Sequence, residues 1–260
     1  MIFPIVLAGS NPIDPSVAAQ HRASDVPSHF LAGPSGLSPF QDVLGQLANL
    51  GAASVVVPHL DARLCAAQVR DISFCGQLIL EPTRGGTAAA VAAGLALGGA
   101  ADDGLMLLVP AQFPRRCLGA LQQAIAQAEG VAKGRALVAL ATEAGEGTSL
   151  YGRLECASAD AACADHHPAI GFRYSGAAEA VGALRPTGAY LVRQDVLREA
   201  YMAYASRILH AVDRAAADAI RGAGKALLNV ADYRTAPPTS FETALLRPLV
   251  LAGRVQVVKV

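Results

Sequence analysis

Lysine is almost missing from this chain: only Lys133, Lys225 and Lys259 occur, against eighteen arginines. Chemistry that needs an ammonium group in the first half of the protein has none to draw on. Tryptophan is absent and aromatic residues make up 5%, which excludes a stacking platform for single-stranded nucleic acid. The 21 basic side chains balance the 21 acidic ones, and no run of Lys or Arg occurs. An electrostatic nucleic-acid binder is excluded on that ground. The five cysteines (Cys65, Cys75, Cys117, Cys156 and Cys163) contain no C-x-x-C pair. They read as reduced thiols of a cytoplasmic protein, most of them small core fillers. No basic residue precedes the short apolar run of MIFPIVLAGS, so a secretory signal is not expected. The stretch from Thr87 to Ala101 is uncharged but too short to cross a bilayer, so no membrane partner is expected either.

What is present is a core. The chain has 260 residues, 53% of them hydrophobic, enough for one large domain or two small ones. Phe3–Leu7 is a continuous apolar run, the mark of a strand buried on both faces. A Pro/Gly/Ser-rich loop follows to about Leu37. Ser38-Pro39-Phe40-Gln41 then has the pattern of a helix start: cap, Pro at the first position, and Gln three residues after the cap. That helix is expected to run to Leu50. Strand-then-helix alternation continues through Ser54–Val57, Leu60–Val69, Gln77–Leu80, Thr87–Leu97, Leu105–Val109, Arg116–Glu129 and Ala136–Ala141. Such alternation predicts an α/β fold with a mainly parallel central sheet and helices on both faces. Past Gly145 the pattern loosens into strands at Arg153–Cys156, Ala169–Tyr174 and Ala189–Val192. A long helix from Gln194 to about Arg221 and a last strand at Val255–Val260 complete it.

Ligands of open α/β sheets bind beyond the carboxyl ends of the strands. The most informative stretch there is ILEPTRGGTAAAVAAGLAL, Ile79 to Leu97. A strand ends at Glu81-Pro82, Gly85 and Gly86 permit close backbone approach, and Thr87 opens an Ala-rich helix. This is either a phosphate-binding turn or an ordinary strand-to-helix turn with Thr87 as the cap.

The same segment resembles the E-P-x-G-R-N-T-A-P-A-I stretch of bacterial mannose-1-phosphate guanylyltransferases, the GDP-mannose pyrophosphorylases. Further pieces follow in the family's order. Phe3–Ser10 is similar to its opening strand and the start of its Gly-rich signature, and Val26-Pro27-Ser28-His29-Phe30 to its P-K-Q-F. Leu105–Phe113 is similar to the strand ending in L-P-A-D-H, and Leu150-Tyr151-Gly152-Arg153-Leu154 to G-Y-G-Y-I. Pro186-Thr187-Gly188-Ala189-Tyr190-Leu191 is similar to N-S-G-M-F-L-F, and Ser240–Val260 to S-I-D-Y-A-V-M-E-K with the next strand. The resemblance implies a Rossmann-like nucleotidyltransferase (GT-A-like) domain over residues 1–260. Residues 1–145 would be its nucleotide-binding half and 146–260 its sugar-binding half, without the C-terminal β-helix or isomerase domain of relatives. By the same resemblance, Ala8, Gly9, Ser10, Glu81, Gly85, Gly86, Thr87 and Gln112 would bind nucleotide, and Gly152, Thr187 and Gly188 sugar.

The departures fall on the chemistry. The family joins a sugar 1-phosphate to a nucleoside triphosphate, so like charges must meet with help from Mg²⁺ and positive side chains. Its G-G-x-G-T-R-L loop is Gly9-Ser10-Asn11-Pro12-Ile13-Asp14-Pro15 here: the second and third glycines are gone, Pro12 and Pro15 remove donors, and Asp14 sits where the Arg belongs. The lysine of P-K-Q-F is Ser28, with Arg22 the nearest basic residue in sequence. Gly85-Gly86 replace Arg-Asn, Gln112 replaces the metal-binding Asp, and Pro186 replaces Asn. Gln112 is a poor Mg²⁺ ligand. No catalytic and no metal-binding residue is therefore assigned, and no cofactor is expected.

The sequence points to a catalytically degenerate, nucleotide-sugar-binding regulatory or scaffold subunit of sugar-nucleotide or polysaccharide metabolism. Its expected ligand is GDP-mannose, and homo- or hetero-oligomers are possible. The alternative is an active enzyme making GDP-mannose from GTP and mannose 1-phosphate with Mg²⁺; a module without ligand is a third. Weaker features read as structural. Glu242 is expected as a solvated carboxylate in the first turn of a helix rather than a cation ligand, and Asp165-His166-His167 as an exposed loop rather than a metal site. Gly222-Ala223-Gly224-Lys225 is expected to be a helix-ending turn, and Arg115-Arg116 either solvated or facing a phosphate.

Overall fold

The computed structural model describes residues 1–9, 26–72, 74–99, 103–143, 152–156, 166–173 and 184–260. Four short, largely apolar strands lead the chain: β1 (Ile2–Leu7), β2 (Ala53–Pro58), β3 (Gly76–Glu81) and β4 (Leu105–Pro110). They lie parallel in the order β3-β2-β1-β4. Alternate residues feed opposite faces: Ile5, Val56 and Met106 join one apolar cluster, and Val6, Val55 and Leu107 join the other.

Helices cover both faces. On one lie α1 (Pro39–Leu47), α2 (Ala62–Asp71) and α4 (Leu121–Lys133), and on the other α3 (Thr87–Leu97), α5 (Gln194–Tyr204) and α6 (Ser206–Ala217). The predicted capping box starts α1: Ser38 Oγ accepts from the Gln41 N–H, and the Gln41 side chain accepts from the Ser38 N–H. The α-helix stops at Leu47, and a 3₁₀ turn carries it on to Leu50. Before α4, Arg115–Ala120 forms a 3₁₀ turn, so that helix begins later than expected.

The mainly parallel sheet expected from the alternation is corrected to a mixed one. The later strands are β5 (Leu137–Glu143), β6 (Arg153–Cys156), β7 (His167–Arg173), β8 (Leu184–Arg193), β9 (Ile220–Gly222), β10 (Lys225–Leu227) and β11 (Val255–Lys259). β8 enters between β4 and β5, antiparallel to both. β5, β11, β7, β6 and β8 then pair in succession back to the start, closing a ring. Ten-residue β8 can serve both groups because it bends at a bulge: Leu140 faces Ala189 but Ala141 faces Pro186, with Thr187 and Gly188 (φ +81°) between.

The long helix expected from Gln194 to Arg221 is two helices. Ala205 leaves the helical region (φ −145°, ψ 37°), and α6 ends at Ala217. The expected helix-ending turn at Gly222–Lys225 is instead a two-residue hairpin joining β9 to β10. Gly222 pairs with Lys225, and both Ala223 (φ +47°) and Gly224 (φ +71°) are left-handed, as that tight turn requires. Two short helices, α7 (Val230–Tyr233) and α8 (Arg247–Leu251), flank a π-helical turn at Glu242–Leu246. Cys65 and Cys117 are buried, Cys156 is half-buried and Cys75 is exposed, all as free thiols. Among the described residues, no helix is long and apolar enough to cross a membrane.

Candidate functional site

Because β1 to β4 run parallel, their carboxyl ends share one edge of the sheet. That edge gathers Ala8 and Gly9 after β1, Glu81 at the end of β3, the Gly85-Gly86-Thr87 turn, and Gln112 after β4. Ser10, the rest of the loop through Asp14 and Pro15, and Arg22 lie outside the described residues, as do Tyr151, Cys163 and Asp165.

Ala8 is fully buried and its N–H donates to the Val56 carbonyl at 2.8 Å. Gly9 lies by Glu81: a Cβ on Gly9 would stand 3.8 Å from Glu81 Oε2. Glu81 is itself buried, and its Oε1 accepts a hydrogen bond from the Tyr233 hydroxyl. Loss of water pushes the Glu81 carboxyl up to about 7, against the opposing pull of the Tyr233 bond and the Arg84 charge. Burial and the neighbouring Glu81 likewise hold the Tyr233 hydroxyl well above the usual tyrosine range. No sequence signal marked Tyr233, which lies 152 residues from its partner.

The glycine pair fits the protein's own chain. A Cβ on Gly85 would come within 3.0 Å of the Tyr233 ring. A Cβ on Gly86 would meet the Thr239 carbonyl oxygen at 2.5 Å and the Thr239 nitrogen at 2.8 Å. Gly86, at φ +82°, caps α3, whereas Thr87 is its first helical residue and not its cap. The segment 239–241 runs across this helix start. The Ala88 N–H donates to the Thr239 carbonyl at 3.1 Å, and the Phe241 N–H donates to Thr87 Oγ1 at 2.8 Å. A donor that a bound phosphate would need at that helix end is thus already engaged.

Ser28 and Gln112, two positions where the resemblance leads one to expect opposite charges, touch each other. The Ser28 hydroxyl donates to Gln112 Oε1 at 3.2 Å across 84 residues of sequence. Beside them is His29, a residue the sequence reasoning passed over. It is 4% exposed, packs its ring 4.2 Å from that of Phe30, and is hydrogen-bonded to the Ala8 backbone. Burial pulls its imidazole down to about 4, against the weaker opposing effect of the Ala8 bond, so it is neutral at pH 7. Its Nε2 is buried without a partner.

In the carboxyl-side half, Thr187 is 1% exposed and its hydroxyl donates to the Leu140 carbonyl at 2.8 Å, filling the bulge. Gly152 (φ +77°) lies against the Arg173 carbonyl and the Phe172 ring, each within 2.7 Å of where a Cβ would be. The expectation of a solvated Glu242 is corrected: it is 5% exposed, and its Oε1 accepts from the Tyr190 hydroxyl at 3.2 Å. Burial raises its carboxyl, against the opposing hydrogen bonds of Tyr190 and Ser240. His167 is a strand residue paired with Val257, not a loop residue. Arg115 is bound by Asp42 at 2.6 Å. Among the described residues, no group of three His, Cys, Asp or Glu side chains could hold a metal ion. The Gln112 and Glu242 positions therefore do not fit Mg²⁺, and no step is derived through a metal.

No family model matches the chain, and no curated protein matches its sequence. Solved structures do match. The mannose-6-phosphate isomerase of Helicobacter pylori superposes with a TM-score of 0.81 at 17% identity, over 99% of this chain and 96% of that one. The mannose-1-phosphate geranyltransferase of Thermus thermophilus gives 0.77 at 22%, over 99% and 73%. The inositol-1-phosphate CTP transferase of T. maritima gives 0.62 at 13%, over 99% and 84%. The chain shares their fold. At such identities the likeness reaches no further, and the names attached to this one fold already differ in activity.

Proposed function

We propose that the protein is a catalytically degenerate relative of the GDP-mannose pyrophosphorylases that binds a nucleotide sugar without Mg²⁺ and acts as a regulatory or scaffold subunit. The observation that carries this reading is the Ser28–Gln112 hydrogen bond. Phosphoryl chemistry at these strand ends needs a cation and a metal-binding carboxylate; a neutral hydroxyl bonded to a neutral amide supplies neither. The engagement of the α3 start by Thr239 supports the same conclusion for the triphosphate. What the strand ends keep are the Gly9 backbone, the Glu81 carboxyl and the Gln112 side chain, which suit a nucleoside better than a triphosphate.

Isothermal titration of GDP-mannose into the protein, once with Mg²⁺ and once with EDTA, tests the proposal. Equal binding in both buffers is the expected result. Strictly Mg²⁺-dependent binding, together with pyrophosphate release from GTP and mannose 1-phosphate that Gln112→Ala abolishes, would overturn it in favour of an active guanylyltransferase. Absence of heat in both buffers would overturn it in favour of a module without this ligand.

A further inference from the structure

A buried hydroxyl costs free energy unless a partner answers it, and Tyr233 is 1% exposed. A phenylalanine would fill the same space, so the oxygen calls for a reason of its own. Among the described residues its hydrogen bond goes to Glu81 Oε1. The tyrosine is also firmly placed. Asn229 Oδ1 accepts from the Ala231 and Asp232 N–H groups at 2.9 and 3.2 Å, which caps the start of α7. The Asn229 N–H donates to the Ala215 carbonyl at 3.0 Å, and Arg214 holds Asp232 at 2.8 Å, so α7 is fastened to α6 at both points. Gly85 leaves room for the ring, since a Cβ there would stand 3.0 Å from it.

Glu81 is left with two unlike oxygens. Oε1 carries the Tyr233 bond, and Oε2 lies toward Gly9 at the end of β1. Burial favours the neutral form of such a carboxyl, whereas a hydroxyl donating to it favours the charged form. The groups around it come from four elements. Tyr233 of α7 donates directly, and Arg84, in the turn after β3, acts through its charge. Arg84 also acts on Asp61, after β2. Tyr201 of α5 lies near the Tyr233 hydroxyl, and β1 brings the Gly9 backbone. A charged carboxylate accepts an N–H roughly twice as strongly as a neutral acceptor does.

We propose that Tyr233 is a positioning residue: its hydroxyl fixes Glu81 through Oε1 so that Oε2, beside Gly9, accepts a ring N–H of the nucleobase. The role rests on the nucleotide-sugar reading above, which it deepens by naming the residue that tunes the base contact. Tyr233 itself touches no ligand and acts through Glu81 alone.

GDP-mannose is titrated calorimetrically in EDTA, from about pH 6 to about pH 8.5, into wild type, Tyr233→Phe, Tyr201→Phe and Glu81→Gln. Wild-type affinity should fall as pH drops through about 7, where Glu81 gains its proton. Tyr233→Phe removes a bond to the charged form, so its limb should lie about one pH unit higher. The affinity loss is then about fivefold at pH 7 and is largely recovered at pH 8.5. Glu81→Gln should show no limb in this range. Tyr201→Phe deletes a buried hydroxyl of the same cluster, one that donates to the Ala88 carbonyl at 2.6 Å, and should leave the limb in place. If Tyr233→Phe does not fold, 3-fluorotyrosine at position 233 carries the test: as a stronger donor it should move the limb to lower pH. Superimposable profiles, a loss equal at every pH, or a shift as large in Tyr201→Phe would overturn the role of Tyr233 and leave the nucleotide reading standing. A wild type that binds at no pH would overturn both.

Discussion

The β3–α3 turn and strands β6 and β8 treat their buried polar groups in opposite ways. At the β3–α3 turn the chain answers its own needs: Tyr233 serves Glu81, Thr239 serves the start of α3, and the two glycines make room for both. In β6 and β8, by contrast, the Nε atoms of Arg153 and Arg185 are buried without a hydrogen-bond partner among the described residues. Buried groups without partners cost free energy. A region that satisfies itself has little left to offer a charged ligand.

The sharpest way to break this contrast is at Gly86. Gly86→Ala adds a methyl group against the Thr239 backbone, which cannot swing aside as a side-chain tip would, and does so at φ +82°. A loss on the order of 3 kcal/mol is expected in urea unfolding. Gly36, at φ +80° with nothing within 4 Å of an added Cβ, isolates the conformational part; Gly36→Ala should cost only about 1 kcal/mol. Equal losses at the two positions would mean that Thr239 does not press on the turn.

Proton linkage separates Glu81 from His29. The folded Glu81 titrates near 7 rather than 4.5, so its contribution is complete below 4.5 and is lost as pH rises to 7. The folded His29 titrates near 4 rather than 6.5, so its contribution is complete above 6.5 and is lost as pH falls to 4. Each shift corresponds to about 3 kcal/mol. Relative to wild type, Glu81→Gln should therefore gain stability as pH rises from 4.5 to 7, and His29→Gln should gain as it falls from 6.5 to 4. Urea midpoints across this range decide the matter, and parallel curves for either variant and wild type would remove the assigned shift.

A smaller effect is expected at the bulge. Thr187→Val keeps the shape and removes the hydroxyl that answers the Leu140 carbonyl; about 1 kcal/mol should be lost in chemical unfolding. The smallest is at the exposed Gln112, where Gln112→Ala removes only the contact with Ser28 and should change stability by less than about 0.5 kcal/mol. A much larger loss would place Gln112 among the self-satisfied groups rather than at an open strand end.

Much of this frame was legible before any coordinates. Continuous apolar runs marked β1, β2, β3 and β4, and Ser38-Pro39-Phe40-Gln41 carried its own capping signal. The candidate positions at the strand ends followed from a general property of parallel sheets, and the resemblance placed them in order along the chain. Glu242 misled because a first-turn carboxylate is ordinarily solvated, and bonds from the Tyr190 and Ser240 side chains answer it where it is buried. The hairpin at Ala223-Gly224 misled because a glycine after a helix is also the commonest way to end one. Tyr233 and His29 gave no local sign at all.

The sequence by itself determined strands β1 to β4 and the start of α1, since periodicity and capping act within a few residues. It also determined that the strand ends carry no lysine, no metal carboxylate at Gln112 and no arginine at Gly85 or Gly86. Only the tertiary structure decided that β8 would enter the sheet antiparallel and that Ser28 would meet Gln112. It alone decided that Thr239 would close the start of α3. The physical reason is distance along the chain. Ser28–Gln112 and Ala88–Thr239 join residues 84 and 151 positions apart, where no propensity reaches, and which buried polar group finds a partner is settled only when the sheets close around it.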